Sequence, residues 1–218
     1  MDDAAQEIER MRQSYERGTL SEDDLAPTWL EQFERWLADA LAAGMPEPHA
    51  MVLATAAGDG APGARTVLLR GVDERGLRFN TNYRSRKGRE LGANPRATLL
   101  FPWYGLQRQV IVDGDVERAT AEESDAYFAQ RPRASRIAAA SSPQSEPIAG
   151  RDELERRFAE LEAEYEGVDD PPRPDHWGGY LVVPRAVEFW QGRRNRLHDR
   201  LRFRRGDGGE WVVERLAP

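Results

Sequence analysis

Beyond Ala50 the chain is divided into short apolar or alternating runs, most of them closed by glycine, proline or asparagine. This punctuation constrains the fold more than any other feature. Met51-Val52-Leu53-Ala54-Thr55, Thr66-Val67-Leu68-Leu69-Arg70, Leu77-Arg78-Phe79-Asn80-Thr81, Ala97 to Trp103, Gln107 to Glu117, Ala186 to Trp190 and Leu197 to Phe203 all have strand length and period. The first two flank the turn-rich Gly58 to Gly63, which predicts a hairpin, and the runs meeting at Tyr104-Gly105 predict an antiparallel pair. Gly58 to Gly63 matches G-x-G-x-x-G, yet the dinucleotide fingerprint needs a helix to follow it and here a strand follows, so the match is a decoy.

Helical signals fall at the start, in the middle and before the last strands. Ile8, Met11 and Tyr15 predict a short amphipathic helix over residues 4 to 17. Thr28-x-x-Glu31 is a capping box opening a helix to Gly44, with Leu30, Phe33, Trp36, Leu37 and Leu41 on its apolar face. Ser85 to Leu91 is a short helix, and Thr120-x-x-Glu123 caps another that carries Tyr127 and Phe128. Pro132 separates that helix from its successor, and Asp152 to Tyr165 presents Leu154, Phe158, Leu161 and Tyr165 on one side. About seven or eight short strands, mostly antiparallel, with these helices predict an α+β fold built on a closed or nearly closed barrel. No repeat is present and no linker clearly divides the chain, whose 218 residues are enough for a core in one domain or for two small ones.

Composition narrows the chemistry. A net charge of −7 argues against a general nucleic-acid binder. The absence of cysteine removes disulfides, thiolate catalysis and zinc-thiolate sites. His49, His176 and His198 form no H-x-x-x-H pair, so no metal is expected. No apolar run has the length of a membrane span, and Met1-Asp2-Asp3-Ala4 lacks a signal peptide's character, which predicts a cytoplasmic protein. Lys87 is the single lysine.

Three clusters carry candidate chemistry. Residues 189–200 hold four arginines, a histidine and a tryptophan. If Leu197 to Phe203 is a strand, Arg196, His198 and Arg200 share one face, a row of cations with one titratable imidazole suited to a phosphate ester. The solvated face of an edge strand has the same pattern, and spacing leaves both readings open. Arg86 and Lys87 in the opening turn of a helix offer phosphate chemistry, or merely a solvated basic turn. Tyr127, Arg131 and Ser135 at intervals of four offer an aromatic face, a guanidinium and a hydroxyl to an aromatic phosphate.

Taken in order, Arg65 to Arg70, Thr81-Asn82, Ser85-Arg86-Lys87, Phe101-Pro102-Trp103, Arg108-Gln109-Val110, Tyr127-Phe128, Arg131-Pro132-Arg133, Gln144-Ser145, Phe189-Trp190-Gln191-Gly192 and Arg196-Leu197-His198-Asp199-Arg200 resemble the pyridoxamine 5'-phosphate oxidase family. The resemblance runs from about Met11 to Pro218. It implies a flavin mononucleotide (FMN) split β-barrel with flanking helices, a single domain over 1–218 whose first 20 residues form a lid, and a homodimer with two flavins at the subunit interface. It assigns flavin binding to Arg65, Thr66, Val67, Leu68, Leu69, Arg70, Asn80, Thr81, Arg86, Lys87, Gln109, Gln144, Ser145, Trp190 and Arg200. Substrate binding goes to Arg12, Tyr15, Arg70, Tyr127, Arg131, Ser135, Arg196, Leu197 and His198, and Arg196 and His198 are the catalytic candidates.

The implied reaction oxidises pyridoxamine or pyridoxine 5'-phosphate to pyridoxal 5'-phosphate, with dioxygen as acceptor and hydrogen peroxide as product. Alternatives are a related flavin oxidase of the phenazine-biosynthesis type, and a non-catalytic carrier of flavin or pyridoxal phosphate. Two positions depart from the family pattern. Arg70 stands where the family usually has lysine, keeping the charge in a bulkier, planar group. Arg12-Gln13-Ser14-Tyr15 keeps only the ends of the usual Arg-Arg-Glu-Tyr.

Overall fold

The structure, a computed structural model, describes Glu7, Met11 and residues 14–218. Arg12 and most of the helix expected over 4 to 17 lie outside the described residues, and from Ser14 to Leu20 the chain is not helical. Nine strands and five α-helices follow: α1 (Trp29–Ala42), β1 (Ala50–Ala56), β2 (Pro62–Leu68), β3 (Gly71–Asp73), β4 (Gly76–Asn82), α2 (Arg86–Ala93), β5 (Arg96–Trp103), β6 (Arg108–Arg118), α3 (Ala121–Ala129), α4 (Arg133–Ser141), α5 (Arg151–Glu164), β7 (Trp177–Gln191), β8 (Asp199–Arg205) and β9 (Trp211–Arg215). The strands join in the order β2-β1-β5-β6-β7-β4-β3, and β8 pairs with β7 and with β9. The β1–β2, β3–β4, β4–β7, β7–β8 and β8–β9 pairings are antiparallel, the first of them the expected hairpin.

Two compact units emerge from this chain path. One comprises Met1–Pro48, Leu100–Ile111 and Ala186–Pro218, the other His49–Leu99 and Val112–Arg185, so β5, β6 and β7 contribute one half to each.

The first unit is organised by α1. Thr28 accepts a hydrogen bond from the Glu31 N–H while the Glu31 carboxylate accepts one from the Thr28 N–H, closing the predicted capping box. The helix buries Phe33 and Trp36, Phe33 lying 5.0 Å edge-on from Phe101 and Trp36 5.3 Å from Phe189. Each such aromatic contributes roughly 1.5–3 kcal/mol by leaving water, and truncation to alanine would cost about 3–5 kcal/mol. The apolar stripe is narrower than the sequence predicts. Leu41 is exposed, and the inward place in the last turn is taken by Ala40.

In the second unit, β4 pairs with the first half of β7 from Asn82↔Trp177 to Leu77↔Val182, over a core that includes Met51, Leu53, Phe79 and Tyr180. α2 sits tightly against the chain before it, because a Cβ on Gly88 would stand 2.2 Å from the Tyr83 carbonyl oxygen. Thr120 and Glu123 close the second predicted capping box at the start of α3. Pro132 ends one helix and begins the next, as expected.

The C-terminal strands differ from expectation. β7 is a 15-residue strand that begins at Trp177, nine residues before the expected Ala186, and carries Gly178, Gly179 and Pro184 within it. Its second half pairs with β8 from Ala186↔Arg204 to Gln191↔Asp199. β8 therefore begins at Asp199, and Arg196 and His198 lie in the connection rather than on a strand face with Arg200. Asn195 and Arg196 both have left-handed backbones, φ 57° and 61°, which no strand accommodates.

Candidate active site

In the second unit Ser85 caps α2, its buried hydroxyl accepting from the Gly88 N–H at 3.3 Å and donating to the Asn82 carbonyl at 2.7 Å. This cap positions Arg86 and Lys87, but the expected phosphate-binding pair is split. The Arg86 Nε donates to Glu90 at 2.7 Å and much of its side chain remains in solvent, whereas Lys87 turns inward and is buried. The Lys87 ammonium donates to Gln144 Oε1 at 3.0 Å and to Ser85 Oγ at 3.4 Å, both neutral. Burial, and then the nearby Arg65 charge, push its pKa down, with Glu90 opposing them. An ammonium desolvated against neutral partners suits an anion.

Glu90 is a residue that sequence reading missed. Its carboxylate is buried and accepts from Thr55 Oγ1 at 2.5 Å, Arg86 Nε at 2.7 Å and Arg65 Nη2 at 3.0 Å. Burial alone would raise its pKa, but the hydrogen bonds from Thr55, Arg86 and Arg65 carry it below the ordinary value. Arg65 and Arg86 hold this one carboxylate and Lys87 feels it only as a nearby charge, so three cations stand near a single anion and two positive charges remain for a dianion. The rest of the 65–70 run is scaffold and rim. Thr66 is exposed and Val67 and Leu68 half-buried on β2, while Leu69 is buried with its N–H on the His49 carbonyl at 2.9 Å.

A cavity of about 620 Å³ in the same unit is lined by Arg70, Thr81, Tyr127, Arg131, Gln144 and Trp177, among others. The Arg131 guanidinium lies 4.6 Å from the Trp177 ring centre, and its Nη1 is buried without a hydrogen-bond partner among the described residues. Burial lowers the Arg131 pKa, Tyr127 opposes that shift and Arg70 adds to it. Arg70 lies 5.8 Å from the Tyr127 ring centre. Asn80 also lines the cavity and carries a buried Nδ2 without a partner among the described residues. The expected trio of Tyr127, Arg131 and Ser135 is therefore only partly assembled, because Ser135 stands outside the lining. Ser145 does too, an exposed residue at φ 74°.

In the first unit a smaller aromatic group forms around His198. Its ring lies 4.6 Å from Trp190 and 5.8 Å from Tyr15, and Tyr15 meets Trp190 edge-on at 6.0 Å. The Arg193 N–H donates to His198 Nδ1 at 3.1 Å, so neutral His198 carries its proton on Nε2. Burial, then the Arg196 charge, hold the imidazole pKa below its usual value, with Asp199 opposing. Arg196 and Leu197 are exposed. Arg200 is engaged by Glu188 through Nε at 2.7 Å and Nη2 at 3.1 Å, and Gln109 is half-buried on β6. Glu16 and Arg17 donate their backbone N–H groups to Gln107 Oε1 at 2.9 and 3.1 Å, which ties the N-terminal segment down beside Tyr15. Glu188 and Gln107, like Glu90, have no local sequence signal as partners, because each meets its partner through the fold.

Desolvated cations on α2 and just beyond α3, beside an aromatic-lined cavity, are the lining expected of a protein that takes aromatic phosphates. The pyridoxamine 5'-phosphate oxidase family matches residues 37–165, and the pyridoxine 5'-phosphate oxidase C-terminal dimerisation region matches residues 177–218. The chain belongs to the pyridoxamine 5'-phosphate oxidase family, as its sequence motifs predict, and has that family's α+β split-barrel fold. Curated proteins named pyridoxine/pyridoxamine 5'-phosphate oxidase are similar to it. The one from Cupriavidus necator is 55% identical over 208 residues, 95% of this chain and 97% of its own length. The one from Rubrobacter xylanophilus is 56% identical over 215 residues, 99% and 98%. Among solved structures, PhzG from Burkholderia lata 383 in complex with tetrahydrophenazine-1-carboxylic acid is similar, with a TM-score of 0.85 and 35% identity over 92% of this chain and 98% of that one.

Proposed function

We propose that residues 1–218 act as one oxidase domain that converts pyridoxamine 5'-phosphate and pyridoxine 5'-phosphate to pyridoxal 5'-phosphate. Dioxygen is the acceptor and hydrogen peroxide the second product; the amine also consumes water and releases ammonia. The observation that carries this reading is Arg131, a half-buried residue whose Nη1 is buried with no hydrogen-bond partner among the described residues, placed with Tyr127 and Arg70 on one cavity lining. A phosphate on an aromatic ring satisfies all three groups.

The residues also fit flavin mononucleotide. The buried ammonium of Lys87 on neutral partners and the two uncompensated charges of the Arg65, Arg86, Lys87 and Glu90 cluster match a phosphate dianion. Asn80 contributes an unpartnered buried donor. When bound, the flavin supplies a two-electron acceptor that dioxygen can reoxidise.

The chain's own groups bind and orient. Arg131, Tyr127 and Arg70 hold the substrate phosphate, and that remote binding fixes the reacting carbon, an orientation effect that can reach about 7 kcal/mol or more. Arg196 offers a cation to charge developing on the pyridine ring. His198, with Nδ1 occupied by the Arg193 N–H, presents Nε2–H as a donor to the substrate rather than a free base. We further propose that the enzyme works in the cytoplasm as a homodimer with flavin at the subunit interface, a reading supported by the matched dimerisation region; among the described residues no helix is long and apolar enough to cross a membrane.

The test is product analysis in air. Purified flavin-loaded protein given pyridoxamine 5'-phosphate should yield pyridoxal 5'-phosphate and peroxide in equal amounts. Turnover of a dihydro-aromatic carboxylate with pyridoxamine 5'-phosphate untouched would move the reading to a phenazine-type oxidase, and ligand binding with no peroxide from either would move it to a carrier.

A further inference from the structure

We infer that Trp177 is a positioning residue for the phosphate end of the substrate, its indole serving as the plate that fixes the Arg131 guanidinium and the Tyr127 ring relative to each other. The inference rests on the functional reading above, in which those two residues receive that phosphate.

Trp177 opens β7, is buried to 7% exposure and lines the 620 Å³ cavity. Its backbone is held at several points. The Trp177 N–H donates to the Pro174 carbonyl at 2.9 Å, its carbonyl accepts from Arg173 Nη1 at 2.7 Å, and the residue stands opposite Asn82 in the β4–β7 ladder. The next residue has no room for a side chain, since a Cβ on Gly178 would lie 2.1 Å from the Tyr83 hydroxyl. The indole therefore projects from a fixed stretch of strand.

Three residues of α3 and its continuation gather on that indole. Tyr127 lies nearly parallel to it, 6.2 Å between centres and 12° between planes. Phe128 meets it edge-on at 5.1 Å, and the Arg131 Cζ lies over it at 4.6 Å. An arginine has four rotatable side-chain bonds, and a guanidinium aimed at a phosphate must be held in plane before the ligand arrives if binding is to be tight. Among the described residues Nη1 of Arg131 has no hydrogen bond to hold it, so the aromatic face takes that task. Tyr127 is also approached by Arg70 at 5.8 Å, so the same plate supports the second and third members of the phosphate group. A tryptophan that served only as core filling would affect stability and leave the substrate's apparent affinity alone.

The experiment compares wild type, Trp177→Phe, Trp177→Leu, Arg131→Lys and the double variant Trp177→Phe/Arg131→Lys, all as flavin-loaded protein. The readouts are bound flavin, and kcat and KM for pyridoxamine 5'-phosphate. Trp177→Leu should raise KM by about tenfold or more with kcat within about threefold of wild type and flavin retained, while Trp177→Phe, which keeps a smaller aromatic face, should fall between the two and raise KM by about threefold. In the Arg131→Lys background, with no guanidinium left to orient, Trp177→Phe should add little to KM. A wild-type KM in flavin-loaded Trp177→Leu, or a full additive effect of Trp177→Phe in the lysine background, would overturn the proposal, and the second comparison decides alone if the leucine variant does not fold. An unchanged KM in Arg131→Lys would instead overturn the functional reading. A raised KM there beside inert Trp177 variants would remove the positioning role and leave that reading standing.

Discussion

The ammonium of Lys87 and the Thr81 hydroxyl both donate to one oxygen, Gln144 Oε1, at 3.0 and 3.2 Å. This joins α2, β4 and the loop after α4 around a buried charge whose hydrogen-bond partners are neutral. Replacing Lys87 by methionine should weaken flavin binding by about 1.5–3 kcal/mol, roughly 10- to 100-fold, because a charge-assisted bond to phosphate is lost. The flavin-free protein should be as stable as wild type or more so, since a burial penalty goes with the charge. Fluorescence of released flavin checks the first effect and urea denaturation of the flavin-free protein the second.

Glu90→Gln should destabilise the fold at pH 7 by roughly 3 kcal/mol, the low end for breaking a buried pair, because Arg65 is still 19% exposed. The pH dependence has a definite sign. The Glu90 pKa in the fold lies below its unfolded value, so its contribution is complete above the unfolded value near 4.5 and is lost as pH falls through the folded one. Denaturation curves of the two proteins should therefore lie far apart at pH 7 and converge in acid.

Arg196 holds φ at 61°, a left-handed conformation that costs an ordinary residue roughly 1–2 kcal/mol. Its side chain is exposed, so no packing is lost on truncation. Arg196→Gly should leave thermal stability unchanged or raise it by up to about 1 kcal/mol, while lowering kcat/KM by at least about tenfold and leaving flavin in place. A melting curve, a flavin spectrum and a kinetic run on one preparation check all three.

The acid limb of activity should belong to His198. Protonating Nδ1 breaks the hydrogen bond from the Arg193 N–H and adds a charge beside Arg196. Burial and Arg196 both lower the His198 pKa, so removing Arg196 takes away one lowering influence. In Arg196→Ala, the pH below which the residual kcat/KM falls should therefore move upward relative to wild type, which a pH–rate profile of both enzymes tests.

What the sequence shows of this fold is what is local. The capping boxes at Thr28 and Thr120 and the β1–β2 hairpin are written within a few residues, and the structure follows them. Tyr127 and Arg131 share the cavity because their spacing of four survives the break at Pro132. Ser135 does not follow them, since α4 starts anew beyond that proline. Arg196 and His198 were legible as a cationic group, but their strand was not there. Left-handed φ values at Asn195 and Arg196 carry no glycine to announce them. Glu90 and Trp177 were invisible as site residues because each acts through partners far along the chain: Glu90 on Arg65, Trp177 on Arg131. The one available hint for Trp177 was the Gly178-Gly179 pair that follows it, which marks close backbone packing.

The most direct measurement is anaerobic mixing of the flavin-loaded protein with pyridoxamine 5'-phosphate, following the flavin absorbance and then readmitting air. The predicted result is rapid bleaching, one pyridoxal 5'-phosphate formed per flavin, and recovery of colour with peroxide once oxygen returns. A flavin that stays oxidised in the presence of saturating substrate would contradict the assignment of this cavity to a pyridoxamine phosphate.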